Sequence, residues 1–338
     1  MCEKIDFVIP WVDGNDENWR KDKNFYWNEQ SGVKSADANN NARFRDWENL
    51  RYWFRGVEKF APWVNHIYFV TYGHIPEWLN VNHPKLTIVK HEDYIPKQYL
   101  PTFSSIPIEN NFHRIENLSE HFVYFNDDMF LTNYVEPSDF FVNGLPKEMA
   151  VLYPLTNNSK NDTYGHQLFT MTGLINDAFN KKETIKKNFK KWFNLKYKKF
   201  LLGNCLLYRY NSVSGLLIPH LPSSLRKSTM ETVWDYYYDK LNIVSSHKFR
   251  DNTDVNQYIY RYWEIMRGTF EPSNIFDFGS EFFIEDSNNI KLYDAIKYQK
   301  YKMICINDST DLKEFENVKN EVNKCFDSIL PDKSKFEK

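Results

Sequence analysis

The first 150 residues alternate between short apolar runs and longer segments with a helical apolar period. Ile5 to Trp11 is apolar apart from Asp6, and Pro10 marks it as an edge or terminating strand. Asp13-Gly14-Asn15-Asp16 then turns the chain. Residues 17–41 are polar and aromatic without a sustained period, and read as a loop suited to covering a site. From Asp46, the expected N-cap, residues Trp47, Leu50, Phe54 and Val57 recur at steps of three or four, one buried helix face. Gly56 weakens the last turn and Pro62 ends it. His66–Thr71 and Leu86–Lys90 read as strands, with a short helix at Trp78 and Leu79 between them. Pro107 opens a helix whose face is Ile108, Phe112, Ile115 and Leu118, and this helix runs into the apolar stretch Phe122–Phe125. Strand and helix in this alternation predict an α/β fold: a mostly parallel central sheet with flanking helices. The carboxyl ends of its strands would collect Asp13, Tyr72, His91, Asp127 and Asp128.

Beyond Pro137 the character changes, with a soft boundary between 137 and 160. Residues 1–150 form the expected α/β half, and residues 151–330 a more helical half of the same unit. Lys181–Phe200 interleaves lysines with Phe189, Trp192, Phe193 and Phe200, a pattern that suits either an exposed helix hairpin or contact with an anionic surface. Met230, Trp234, Tyr237 and Leu241 make one helix face. Val255, Ile259, Tyr262 and Met266 make another, capped by Thr253. Lys302–Cys305 reads as a last strand ending in Asn307-Asp308, and the tail from Pro331 as polar and frayed.

The most informative stretch is His121 to Phe130. Its apolar run has the length of a buried strand and stops at Asn126-Asp127-Asp128. Adjacent carboxylates resist joint burial, because desolvation and like-charge repulsion add. A solvated turn resolves that conflict, and so does a divalent cation at a strand end, where open α/β sheets bind ligands. Hard oxygen donors there point to Mg²⁺ or Mn²⁺ held against a phosphate.

Composition narrows the alternatives. The chain has 338 residues and a formal net charge of −2, which gives no general reason for nucleic-acid binding. Its aromatic content of 17% suits a large core or a sugar-binding cleft. Cys2, Cys205, Cys305 and Cys325 are too scattered for a disulfide framework and fit a reducing, cytoplasmic setting. The polar start, Glu3, Lys4 and Asp6, does not match a secretory leader, and no apolar run is long enough to span a bilayer. Dinucleotide, P-loop, HExxH and nucleophile-elbow signatures are all missing. The remaining chemistry uses carboxylates, a divalent ion and a few His and Arg residues.

Several of these stretches resemble the Stealth family of sugar-phosphate transferases. Ile5–Asp16 is similar to its first conserved region. Arg43-Phe-Arg-Asp46 through His66–Thr71, Ser104-Ser105, Glu109, Asn111–Arg114 and Tyr124–Phe130 are similar to its second. Ile218-Pro-His220 and Ile304–Asp308 resemble the third and fourth. The resemblance implies a nucleotide-sugar-transferase-like fold of the Rossmann or GT-A kind. It also implies Mg²⁺ or Mn²⁺ dependence and transfer of a hexose 1-phosphate from a nucleotide-sugar to a sugar hydroxyl of a capsular or cell-surface polysaccharide, with release of a nucleoside monophosphate. The expected partners are thus a nucleotide-sugar donor and a saccharide acceptor, with peripheral association at the inner face of the membrane through a polysaccharide-assembly complex. Two competing readings are a metal-dependent glycosyltransferase releasing a nucleoside diphosphate and an inactive assembly protein on the same fold.

On this basis Asp127 and Asp128 are the expected metal ligands, with Asn307 and Asp308 as candidates to complete the shell. Arg43, Arg45 and Arg114 are expected to hold phosphoryl oxygens. Trp11, Asp13 and Gly14 are expected at the nucleotide, Gly14 through close approach or a positive φ. His220 is the expected general base and His113 a donor to phosphate, with Glu109 one helical turn before His113 orienting its ring. For either histidine the alternative is a hydrogen-bonded structural role.

Overall fold

Strands without a polar face must be covered on both sides, and the strands that meet at the centre of this molecule are of that kind. In the computed structural model, which describes residues 4–29, 45–157, 159–309 and 312–338, the strands run as follows. β1 (Ile5–Trp11), β2 (Ile67–Thr71), β3 (Leu86–Lys90) and β4 (His121–Tyr124) come first. β5 (Met129–Leu131), β6 (Phe141–Val142) and β7 (Leu145–Glu148) follow, then β8 (Ser223–Arg226), β9 (Glu271–Pro272), β10 (Gly279–Phe283) and β11 (Met303–Asn307).

The five-stranded main sheet has the order β3-β2-β1-β4-β8. β1, β2, β3 and β4 are parallel, and β8 is antiparallel to β4. The chain moves outward from β1 through β2 to β3, then returns to place β4 on the other side of β1. The strand order therefore reverses between β1 and β4, the position at which α/β sheets leave a crevice beyond their carboxyl ends. The expected α/β architecture with a mostly parallel sheet is the observed one. Two small three-stranded sheets, β10-β11-β5 and β6-β7-β9, extend it.

Asp6, the polar interruption of β1, is fully buried at the opposite end of the sheet. It accepts hydrogen bonds from Asn65 Nδ2 (2.6 Å) and Ser119 N (2.7 Å), which satisfies the charge that the pattern left unexplained. The helix Leu50–Phe60 buries Trp53, Phe54 and Val57 against the sheet, with Trp53 at 5.5 Å from Phe125. Gly56 is there for proximity: a Cβ would lie 3.0 Å from the carbonyl oxygen of Leu131 on β5.

Several local expectations change. Residues Glu17–Glu29 form a 13-residue helix rather than a loop, its Trp19 N–H donating to Asp16 Oδ1 (2.7 Å). The helix at 50–60 is preceded by Asn49, while Asp46 caps only the local turn by accepting from Glu48 N (2.7 Å). Trp78 and Leu79 make no helix, and Leu79 instead bridges to Glu337. The helix expected from Pro107 to Leu118 stops at Asn110 and yields to a 3-10 turn at Phe112–Arg114. The face from Met230 to Leu241 is split into Lys227–Tyr236 and Tyr238–Ser246. Gln257, not Thr253, precedes the helix Tyr258–Arg267.

The C-terminal tail is anchored rather than frayed. Arg55 holds Glu337 in a bidentate pair (2.7 and 2.9 Å) and donates to Leu330 O (2.9 Å), while Phe336 is buried against Phe54. Burial alone would raise the Glu337 carboxyl, but the Arg55 guanidinium and Ser334 outweigh it and hold its pKa low. Removing one partner of such a pair leaves an uncompensated charge, so Glu337→Gln should lose about 3 kcal/mol in urea unfolding at neutral pH. A depressed carboxyl stabilises above its unfolded pKa, and that contribution is lost as pH falls through the folded value. The difference between Glu337→Gln and the parent chain should therefore shrink in acid, and a difference independent of pH would contradict the pairing.

Candidate active site

Beyond the carboxyl ends of β1 and β4 lies a cavity of about 460 Å³. β1 contributes Pro10, Trp11 and Val12, and β4 contributes Tyr124 and, just past its end, Asn126, Asp127 and Asp128. The third wall is remote in sequence. β11 pairs antiparallel with β5, Cys305 opposite Met129, and Ile306 N donates to Asp128 O (2.9 Å). This pairing brings Asn307 and Asp308 to the same cavity as Asp127 and Asp128.

The cavity is strongly acidic. Asp127 is pushed up to about 7, first by burial and then by its neighbour Asp128, with Asp46 adding to the repulsion. Asp46 and Asp308 are also raised, in each case chiefly by burial. Oδ1 of Asp128 and Oδ1 of Asp308 are enclosed without a hydrogen-bond donor. Like charges gathered in such a setting repel one another. Unpaired, buried carboxylate oxygens are what a hard divalent cation takes as ligands, so the donor set fits Mg²⁺ or Mn²⁺. Ligand atoms of Asp128, His220 and Cys305 lie within 4.8 Å of one another. Burial and the nearby carboxylates push the Cys305 thiol well up, so it stays protonated and is a poor ligand.

His220 is held from three sides. Its Nε2 lies 3.4 Å from Asp128 Oδ2 and 3.2 Å from Asn126 Nδ2, its Nδ1 2.9 Å from Tyr258 Oη, and its backbone N–H donates to Glu281 Oε1 (2.8 Å). Burial opposes its charge, but Asp128, with Glu281 and Glu109 behind, wins and raises its pKa. Two arginines line the same space. Arg45 Nη2 donates to Ser309 O (3.0 Å) with Nε 3.6 Å from Asp308, and Arg250 Nη2 donates to Ser105 Oγ (3.0 Å).

Of the residues expected from sequence, Trp11, Arg45, Asp127, Asp128, His220, Asn307 and Asp308 line the cavity. Trp11 also stacks on Phe69 at 5.8 Å, so it serves core and cavity together. Asp13 lies just behind, its N–H donating to His74 Nε2 (2.8 Å) and its Oδ1 accepting from Asn15 N (2.8 Å). Gly14 is not among the glycines with positive φ. Arg43 lies outside the described residues. His113 and Arg114 are not part of the cavity wall. Arg114 stacks on Trp234 at 4.9 Å, and His113 packs beside the same ring with its pKa lowered to about 3 by burial and Arg114. Because the helix ends at Asn110, Glu109 does not reach His113. It accepts instead from Tyr124 Oη (3.0 Å) and Gln257 N (3.1 Å), and burial pushes it up to about 7.

Two further walls were outlined in the sequence, the aromatic segment from residue 17 as a cover for a site and His91 at a strand end, whereas Phe103 and Arg250 escaped it. Trp19 and Phe103 meet edge to face at 6.0 Å, and Phe103 stacks on Phe249 at 5.4 Å, forming an aromatic side that continues to Trp27. Trp19, Lys23, Tyr26 and Trp27 recur at helical spacing, a signal that was legible. His91, also on the wall, is buried, with Nδ1 unpartnered and its pKa lowered to about 3 by burial and His74. Arg250, brought in from a loop, had no local signal at all.

Asp127, whose carboxyl is raised, should oppose stability at neutral pH. A carboxyl whose folded pKa is raised binds its proton more readily folded than unfolded, so metal-free protein should gain stability as pH falls through about 7. Asp127→Asn should reduce this gain, leaving the shares due to Glu109, Asp46, Asp254 and Asp308, and raise the metal-free melting temperature at neutral pH. An unchanged or lowered melting temperature would contradict strain at Asp127.

Four conserved-region profiles of the Stealth protein family match this chain: region 1 over residues 3–29, region 2 over 43–148, region 3 over 219–260 and region 4 over 294–338. A capsular polysaccharide phosphotransferase of Streptococcus pneumoniae is 43% identical over 99% of this chain and 98% of its own. A receptor polysaccharide phosphotransferase of Streptococcus gordonii is 42% identical over all of both chains. An exopolysaccharide phosphotransferase of Lactiplantibacillus plantarum is 39% identical over 99% and 96%. The cavity's walls come from all four matched regions: Trp11 from the first, Asp127 and Asp128 from the second, His220 from the third, Asn307 and Asp308 from the fourth. The chain belongs to the Stealth family.

Proposed function

We propose that this enzyme transfers a hexose 1-phosphate from a nucleotide-sugar to a hydroxyl of a cell-surface or capsular polysaccharide, releasing a nucleoside monophosphate. One observation carries the reading: acidic ends of two remote strands, Asp127-Asp128 and Asn307-Asp308, share one cavity with His220, Arg45 and Arg250. Relatives named for polysaccharide phosphotransfer supply the reaction class.

The donor pyrophosphate is anionic and would enter a cavity already lined by Asp46, Asp127, Asp128 and Asp308. Such an approach is repulsive without a cation. A bound Mg²⁺ or Mn²⁺, held by Asp128 and Asp308 with Asp127 and Asn307 beside them, would neutralise that charge and polarise phosphoryl oxygens. Arg45 and Arg250 orient the remaining oxygens and stabilise charge that grows in the transition state. The aromatic side built by Trp11, Trp19 and Phe103 suits a base or a sugar face.

The acceptor oxygen attacks phosphorus, the bond from phosphorus to the nucleotide's bridging oxygen breaks, and the monophosphate leaves. His220 takes the proton of the acceptor hydroxyl, with Tyr258 on its far nitrogen setting ring orientation. The donor is held by the N-terminal half and the acceptor approaches from the side of His220 and the helical half. Free thiols at Cys205, Cys305 and Cys325 accord with a cytoplasmic reaction, where nucleotide-sugars are made.

A panel of nucleotide-sugars with a saccharide acceptor and Mn²⁺ should yield nucleoside monophosphate, read by chromatography, and chelation should abolish it. Diphosphate as the product would replace this reading with glycosyl transfer. Asp128→Asn and His220→Ala should each lower turnover by about 100-fold or more. His220→Ala should also lose the acidic limb of the pH–rate profile, and retention of that limb would remove His220 from the base role. Arg250→Lys keeps the charge but not the fork and should cost about tenfold.

A further inference from the structure

The lysine-rich segment takes no part in the cavity, and its surroundings are unusual. Between Lys181 and Phe200 stand nine lysines and a single acid, Glu183, in a chain of net charge −2. Lys181, Lys182 and Lys191 turn inward onto backbone carbonyls, and Lys196 and Lys198 pair with Glu271 and Asp277. Lys186, Lys187, Lys190 and Lys199 are exposed with no acidic partner among the described residues.

Next to them lies a helix turned inside out. The helix Leu201–Leu207 packs inward through Gly203 and Asn204, with Leu201 and Leu207 half-buried at its two ends. A Cβ on Gly203 would lie 2.5 Å from Leu152 O. Asn204 is buried and accepts from Leu152 N (2.6 Å) while donating to Ala150 O (2.7 Å) and Trp192 O (2.6 Å). Those contacts fix which face looks out, and that face, at spacings of three and four, is Leu202, Cys205 and Leu206. Leu202 and Leu206 are 62% and 61% exposed, Leu195 is 85% exposed and Phe189 57%. Phe189 stacks on Phe193 at 4.7 Å, and Phe193 meets Tyr208 at 6.0 Å, joining lysine helix and leucine helix in one aromatic run.

We propose that this face, Leu195, Leu202 and Leu206 with Lys186, Lys187 and Lys190, docks on an anionic lipid bilayer. An apolar patch of this kind must be covered by something. Water disfavours the outward leucines, and the inward Asn204 rules out a mere rotation of the helix as their fate. Unpaired lysines beside them select a negatively charged cover over a neutral one. Together they supply the two signals, inserted apolar side chains and a basic rim, that peripheral membrane binding requires. No helix among the described residues is long and apolar enough to cross a membrane, so the attachment is to one surface.

The test is co-sedimentation of the full chain with vesicles, which needs no catalysis and so stands apart from the reaction proposed above. Binding is expected to phosphatidylcholine vesicles carrying phosphatidylglycerol, to fall steeply with salt, and to be far weaker on phosphatidylcholine alone. Lys186→Gln, Lys187→Gln and Lys190→Gln together should weaken it about 100-fold. Leu195→Gln, Leu202→Gln and Leu206→Gln should weaken it roughly tenfold at least, with unfolding and turnover on a soluble acceptor unchanged. No binding to anionic vesicles at low salt would overturn the proposal. So would binding that needs the lysines but not the leucines and is matched by DNA in solution, since that describes a polyanion site.

Discussion

Two carboxylates in succession at the end of a buried strand are the constraint around which this molecule is arranged. Asp127 and Asp128 cannot leave the sheet, because Phe125 before them and Met129 and Phe130 after them are fully packed in the core. Asp127 is therefore held where burial, and then repulsion from Asp128, disfavours its ionisation. In the proposed reaction, a cation and a phosphate-bearing donor would offset that strain. The result is a site whose electrostatics favour occupancy over emptiness.

Holding such a site open needs rigid walls, and these are joined by paired charges, one pair fully buried and one partly so. Arg261 forms a bidentate pair with Glu148 (2.6 and 2.9 Å), and Arg226 on β8 does so with Glu264 (both 2.8 Å). The first pair ties the helix Tyr258–Arg267 to β7 of a small sheet, and the second ties it to β8 of the main sheet. Tyr258, the partner of His220, opens that helix, and Gln257 before it donates to Glu109. His220 is thus positioned by contacts that begin on three different segments, each anchored elsewhere in the core. Precision of this kind is what proton transfer to or from a substrate oxygen demands.

The inverted helix at 201–207 obeys the same economy in reverse. Its most directional interior contacts are hydrogen bonds from Asn204 and the close approach of Gly203, whereas Leu202 and Leu206 face outward. Directional polar contacts fix orientation where apolar packing would permit several, so the exposed face is defined as sharply as a buried one.

How much of this was written in the sequence depends on the range of each interaction. Burial on both faces needs only a local apolar run, so the central strands and the helix at 50–60 were legible, as were the acidic strand end and the Lys-rich segment. Family motifs extended that reading to Arg45, His220 and Asn307-Asp308. Local pattern also misled where a tertiary partner overrode it. The stripe from Ile108 to Leu118 is helical in period, yet the helix stops at Asn110, whose side chain donates to Val255 O (2.6 Å) and takes Tyr260 Oη (2.9 Å). That break parts Glu109 from His113 and sends the two toward different neighbours. The polar tail looked frayed because Arg55, its partner, lies 282 positions away. Arg250 and the pairing of β5 with β11 likewise depend on contacts between distant segments. The sequence alone determined the kind of fold and the chemistry at one strand end; which charges meet there was decided only by chain topology, since opposition across a cavity leaves no mark on either segment by itself.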